Sequence, residues 1–199
     1  MYTPKPFVLG DAQAQAQIIR DYPFGTLVTQ GPDGIHATHL PFLLHRRDDG
    51  SSILAGHMAR QNPQLAHTDH PTLVIFSGPH AYISPRWYET PGLVPTWNYI
   101  AVHVHGTMSV LEDEAESGRH LDALIERFDS VDKPVIPAET RAKLLQGIQA
   151  FEIAITQIEG KAKLSQNRSA ADRKGVVSGL SEEAGYEGAQ LAAWMATLD

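Results

Sequence analysis

One stretch constrains this chain more than any other: Thr96-Trp97-Asn98-Tyr99-Ile100-Ala101-Val102-His103-Val104-His105-Gly106. β-Branched and aromatic residues dominate it and no helical period fits, so it reads as a β-strand. Side chains of a strand point alternately to opposite faces, and parity therefore sorts them. Even positions carry Ile100, Val102, Val104, Met108 and Val110, a continuous apolar face. Odd positions carry Trp97, Tyr99, His103, His105 and Thr107. One face builds a core, and the other offers rings and imidazoles to a ligand or a neighbour.

The rest of the chain supplies more strands. Asp11 is placed to cap a helix running to about residue 22, which Pro23 stops. Residues 24–30 and 35–44 read as a hairpin, joined by Gly31-Pro32-Asp33-Gly34. In its second strand Thr38, Leu40, Phe42 and Leu44 share a face, with His39 on the other. A third strand over 52–57 leads through Gly56-His57-Met58-Ala59-Arg60-Gln61-Asn62-Pro63 into a short helix to about 67. Such a strand–helix junction can cradle an anion on free backbone N–H groups. Short strands are expected at 73–76 and 81–83, followed by a stiff, Pro-rich aromatic loop over 85–95. Asp113 and Glu116 start a helix whose apolar stripe is Leu121, Leu124, Ile125 and Phe128. A Pro-containing loop over 130–137, a helix over 138–145 and an alternating strand over 151–155 follow. Ser169 with Asp172 opens another helix, and the tail from 182 is helical. Strands do not alternate with long helices, so a parallel sheet is disfavoured. The expected fold is mainly β with flanking helices (α+β), an antiparallel barrel.

Composition narrows the chemistry. At 199 residues one domain is expected, and 42% hydrophobic with 20% charged residues suits a globular chain. Cysteine is absent, which removes disulfides, thiolate nucleophiles and iron–sulfur ligation. No signal peptide or membrane-spanning run is evident, and a cytoplasmic location is expected. A net charge of −7 argues against a global DNA-binding surface. The single basic segment is Lys161, Lys163, Arg168, Arg173 and Lys174.

No phosphate-loop, dinucleotide, zincin or nucleophile-elbow motif occurs. His103 and His105 share a strand face, yet no carboxylate accompanies them in that strand, so no metal site is expected. Trp97 and Tyr99 suit either a core or interface role or the wall of a flat ligand. Lys161 and Lys163 are either a solvated pair or two cations facing one anion. No catalytic residue is assigned.

Several segments together resemble one family. They are Met1-Tyr2-Thr3-Pro4, Ala37-Thr38-His39-Leu40-Pro41, the junction at 56–63, Gly78-Pro79-His80-Ala81-Tyr82-Ile83-Ser84-Pro85, Trp87-Tyr88-Glu89-Thr90, Val94-Pro95-Thr96-Trp97-Asn98-Tyr99 and Glu159-Gly160-Lys161-Ala162-Lys163-Leu164-Ser165-Gln166-Asn167. The chain resembles the PaiB-like FMN-binding negative transcriptional regulators. That resemblance implies a split β-barrel over 1–175 and a homodimer sharing two FMN sites; the last twenty or so residues lie outside it, and the helical period of the tail makes 176–199 a helical extension packed on that domain. It implies that Thr38, His39 and Leu40 meet the isoalloxazine, and that His57, Met58, Ala59 and Asn62 lie near ribityl and phosphate. Trp97, Asn98 and Tyr99 fall at the flavin edge or dimer seam, and Lys161 and Lys163 supply positive charge. One departure stands out: Arg60 is the junction's only cation, where oxidase relatives carry an adjacent Arg-Lys pair. Rival readings are a flavin oxidoreductase, a haem-binding or haem-degrading relative, and a repressor that binds DNA directly.

Overall fold

The structure is a computed structural model, and it describes residues 1–68, 70–129, 136–183 and 185–198. Most of the 130–137 loop expected from sequence lies outside the described residues. In order the elements are β1 (Val8–Leu9), α1 (Ala12–Asp21), β2 (Phe24–Gly31), β3 (Gly34–Pro41), β4 (Leu43–Arg46), β5 (Ser52–Ala59), β6 (Pro71–Ile83), β7 (Thr96–Val110), α2 (Glu114–Phe128), α3 (Ala138–Gly147), β8 (Ile148–Lys163), α4 (Ala170–Glu183) and α5 (Gly185–Met195). The sheet order is β3-β2-β6-β7-β8-β5-β4, with β1 on β8. The registered pairs are antiparallel, for example Thr26↔His39, Val28↔Leu73 and Gly56↔Phe151. Among the described pairings the sheet does not close on itself. The expected class, antiparallel β with flanking helices, holds.

The chain divides into two compact units. One comprises Met1–Ile18, Ser77–Val102 and Glu159–Asp199; the other comprises Ile19–Phe76 and His103–Ile158. The second unit is built around three phenylalanines. Phe42 meets Phe76 and Phe151 edge-on, at 5.6 and 6.2 Å between centroids, and all three are fully buried with Leu27, Leu54 and Ile153. In the first unit Ile83, Ile100, Leu164, Val176, Leu180 and Leu191 are among the buried residues. Burying side chains of this size contributes about 1.5–3 kcal/mol each, which is what offsets the ordering of the long strands.

Local chemistry explains where the structure departs from expectation. The single strand expected over 35–44 is two, because Pro41 ends the β2 ladder and Phe42 N–H donates to Pro23 O at 2.9 Å. β3 then pairs with β2, and β4 with β5. The two strands expected at 73–76 and 81–83 are one, β6. Its buried positions change parity at Gly78–Pro79, a local irregularity that the continuous strand absorbs. On α2 the apolar stripe is only partly inward: Leu124 is buried beside Gly118 and His120, but Phe128 remains exposed.

The aromatic loop is held down. Within the first unit a Cβ on Gly175 would lie 2.0 Å from Trp87 O, and one on Gly179 would lie 2.4 Å from the Trp87 ring. Only glycine permits so close an approach of α4 to the loop. Thr90 donates its N–H and hydroxyl to the Asp172 carboxylate at 2.9 and 2.8 Å, and Ser169 caps α4 through the same aspartate.

Candidate functional site

Seven of the expected flavin residues lie in the second unit. On the β2–β3 hairpin, directly opposed residues share a face, so Leu27, Thr29, Thr38 and Leu40 point one way, and Phe24, Ile35 and His39 the other. The inward face carries a polar network. Asn62 Nδ2 donates to Thr38 Oγ1 at 3.0 Å, and the Thr38 hydroxyl donates to Gln64 Oε1. Gln64 is 1% exposed, and its Nε2 donates to Thr29 Oγ1 at 2.9 Å. A buried amide with several partners fixes the backbone on both sides of it. Gln64 was not singled out from sequence; its only signal is adjacency to the Asn62-Pro63 motif. Thr38 and Asn62 are thus brought together, Leu40 packs inward beside Gly56, and His39 stands on the opposite face, 6.5 Å from the Phe24 ring.

The strand–helix junction is less open than its sequence suggests. The 3-10 turn Pro63–Ala66 is capped by Asn62, whose Oδ1 accepts from Gln64 N–H. Arg60 is committed to Gln146 O, Ile148 O and Gln149 Oε1 at 2.8–3.1 Å. Met58 is buried and can offer only its backbone outward, whereas Ala59 is exposed. His57 stacks edge-on against His120 of α2 at 5.7 Å, and burial pushes its pKa down.

The other five residues lie in the first unit. Trp97 is 54% exposed, with His80 and Tyr82 rings 6.3 and 6.2 Å away. Asn98 occupies the buried parity of β7, opposite Trp97 and Tyr99, so these three neighbours in sequence do not share a face. Its Nδ2 donates to Ser165 Oγ at 2.9 Å, while its buried Oδ1 has no partner. Lys161 Nζ sits 5.1 Å above the Tyr99 ring and donates to Tyr2 O at 3.1 Å. Lys163 Nζ donates to Trp97 O at 2.6 Å and to the Thr96 hydroxyl. Burial first, then repulsion from Lys161 and Arg168, lowers the Lys163 pKa.

A lysine whose charge is disfavoured by two neighbouring cations is a natural seat for a dianion. FMN carries such a group, and this cluster fits it by charge. His103 and His105 are half-buried on the odd face of β7, as parity predicts.

Comparison with known proteins places these residues in context. A family model, FMN_bind_2, described as "Putative FMN-binding domain", matches residues 1–157. Over 202 residues the chain is 38% identical to the Bacillus subtilis protein named "Protease synthase and sporulation protein PAI 2", covering 98% of this chain and 96% of that one. An uncharacterised protein of Emericella nidulans is 34% identical, with 82% of this chain and 84% of that one covered. Among solved structures, the FAD and haem binding protein of Mycobacterium smegmatis superposes with a TM-score of 0.62 at 22% identity. It covers 82% of this chain and 77% of its own, a likeness of fold. Lys161 and Lys163 lie beyond the span matched by the family model but within the PAI 2 alignment.

Proposed function

The chain belongs to the FMN_bind_2 family, and from that premise we propose that it is a homodimeric, cytoplasmic FMN-binding protein acting as a negative transcriptional regulator of the PaiB type that its sequence resembles. The observation that carries the reading is the gathering of Lys161, Lys163 and Arg168, where the half-buried Lys163 amine, donating to Trp97 O and the Thr96 hydroxyl, is disfavoured as a cation by partial burial and by its two neighbours, a cost that an anion would relieve. Bound FMN would supply one- and two-electron redox chemistry, and the protein's part is to bind and orient it. Lys161 and Lys163 would hold the phosphate. Thr38, His39 and Leu40 are carried as contacts of the isoalloxazine, and His57, Met58, Ala59 and Asn62 as contacts near ribityl and phosphate. Trp97, Asn98 and Tyr99 belong at the flavin edge or dimer seam. The organisation into a 1–175 domain and a 176–199 helical extension is part of the same proposal.

A dimer is supported by the outward face of β2 and β3, where Phe24 is 65% and Ile35 74% exposed. Among the described residues no helix is long and apolar enough to cross a membrane. Direct contact with DNA would have to use the local basic segment, since the chain as a whole is acidic.

Equilibrium dialysis against FMN tests the reading. Saturable uptake that weakens at least tenfold in Lys163→Gln supports it; uptake that is absent, or indifferent to that substitution, overturns the phosphate assignment. A gel shift on promoter DNA at about 150 mM salt, with and without FMN, tests the regulatory half.

A further inference from the structure

Three ligand-type side chains outside the flavin reading converge at the tip of the β2–β3 hairpin. Asp33 in the turn, His36 on β3 and His67 just past the 3-10 turn each present one ligand atom, all within 4.8 Å of one another. His36 Nε2 stands 2.8 Å from Asp33 Oδ1, and the two imidazole centroids are 4.8 Å apart at 64°. His67 is buried, and its Nδ1 lies 3.0 Å from Thr29 Oγ1, itself fixed by Gln64 Nε2. The ring is thereby pinned with its other nitrogen toward Gly31. A Cβ on Gly31 would lie 2.4 Å from His67 Nε2 and 3.0 Å from Asp33 Oδ1, so glycine is what lets both approach.

A surface His–Asp pair would need neither a second imidazole nor an orienting hydroxyl. A histidine anchored through its far nitrogen, with the near one aimed at a carboxylate and another imidazole, has the arrangement of a metal ligand. We propose that Asp33, His36 and His67 bind one divalent transition-metal ion of the zinc class, leaving a fourth coordination position to water. Two imidazoles and one carboxylate are the ligand count of an open zinc site. Zinc bonds of about 2.0–2.1 Å imply ligand atoms roughly 3.3–3.4 Å apart, reached by turning the exposed Asp33 and half-buried His36 while His67 stays in place. The ion would tie the hairpin tip to the 63–67 segment, and so brace the Thr38–Gln64–Asn62 network on the same face.

The test uses the full chain, free of any affinity tag and stripped with a chelator, titrated with zinc chloride by calorimetry. One ion per chain is expected, with affinity reduced at least tenfold in both His36→Ala and Asp33→Asn and unchanged in His80→Ala. Circular dichroism establishes that each variant is folded, and the visible absorption of added Co²⁺ reports the coordination. Absence of saturable uptake, uptake undiminished in folded His36→Ala, or an equal loss in His80→Ala would overturn the proposal.

Discussion

Mild acid should destabilise this protein through one buried imidazole. His120 on α2 is 7% exposed, and its Nε2 has no hydrogen-bond partner. Burial, followed by repulsion from His57 and His45, lowers its pKa from 6.5 to about 4. The unfolded chain therefore takes up a proton between those two values that the folded chain refuses. Stability is full above pH 6.5 and falls as the pH drops toward 4. Between pH 7 and pH 5 this single group removes about 2 kcal/mol of stability. His57, also lowered by burial, acts in the same direction. Nearby carboxylates do not offset the effect freely: Glu116 is 3.7 Å from Arg119, and Glu152 is paired with Arg47. Asp172 lies outside the window, because the Thr90 N–H above all holds its pKa at about 2. The assay is urea unfolding followed by tryptophan fluorescence at pH 7 and pH 5, for the natural chain and His120→Leu. The natural chain should lose about 2 kcal/mol more than the variant. Parallel losses in the two proteins would refute the assignment of the acid limb to His120.

Two further outcomes follow from packing. Gly175→Ala sets a methyl against Trp87 O, with no flexible side chain to yield, and should cost about 1–3 kcal/mol. Thermal melting reads this as a fall of about 2–4 °C per kcal/mol, while Gly147→Ala, with open space around it, should not lower Tm. Phe24→Glu combined with Ile35→Glu places charge on the outward β2–β3 face and should convert a dimer to a monomer by light scattering, with the monomer still folded.

Much of the scaffold was legible because period-2 patterning is strong where one face is buried. Ile100, Val102, Val104 and Met108 are at most 1% exposed, as their parity on β7 requires. The same rule, applied strictly, separates Asn98 from Trp97 and Tyr99, whereas reading the three as one motif obscured it. The short strands expected at 73–76 and 81–83 are one, since a long strand can absorb a proline where its buried parity changes. The change of pairing partner at Pro41 was not legible, because it is a tertiary event. Gln64 and the Asp33–His36–His67 cluster were invisible for a related reason. Asp33 and His36 are local, but His67 arrives from beyond β5, and no spacing rule connects it to a hairpin turn. The cation cluster was half legible: Lys161 and Lys163 alternate along β8, and only the fold brings Arg168 close enough to act on Lys163.

In the proposed site the phosphate is what holds FMN to this chain. The most direct measurement is a fluorescence titration of the purified chain with FMN and, in parallel, with riboflavin, which lacks the phosphate. Saturable quenching by one FMN per chain is expected, with riboflavin bound at least tenfold more weakly through the loss of charge-assisted contacts to Lys161 and Lys163. Equal affinity for the two flavins, or no binding of either, would contradict it.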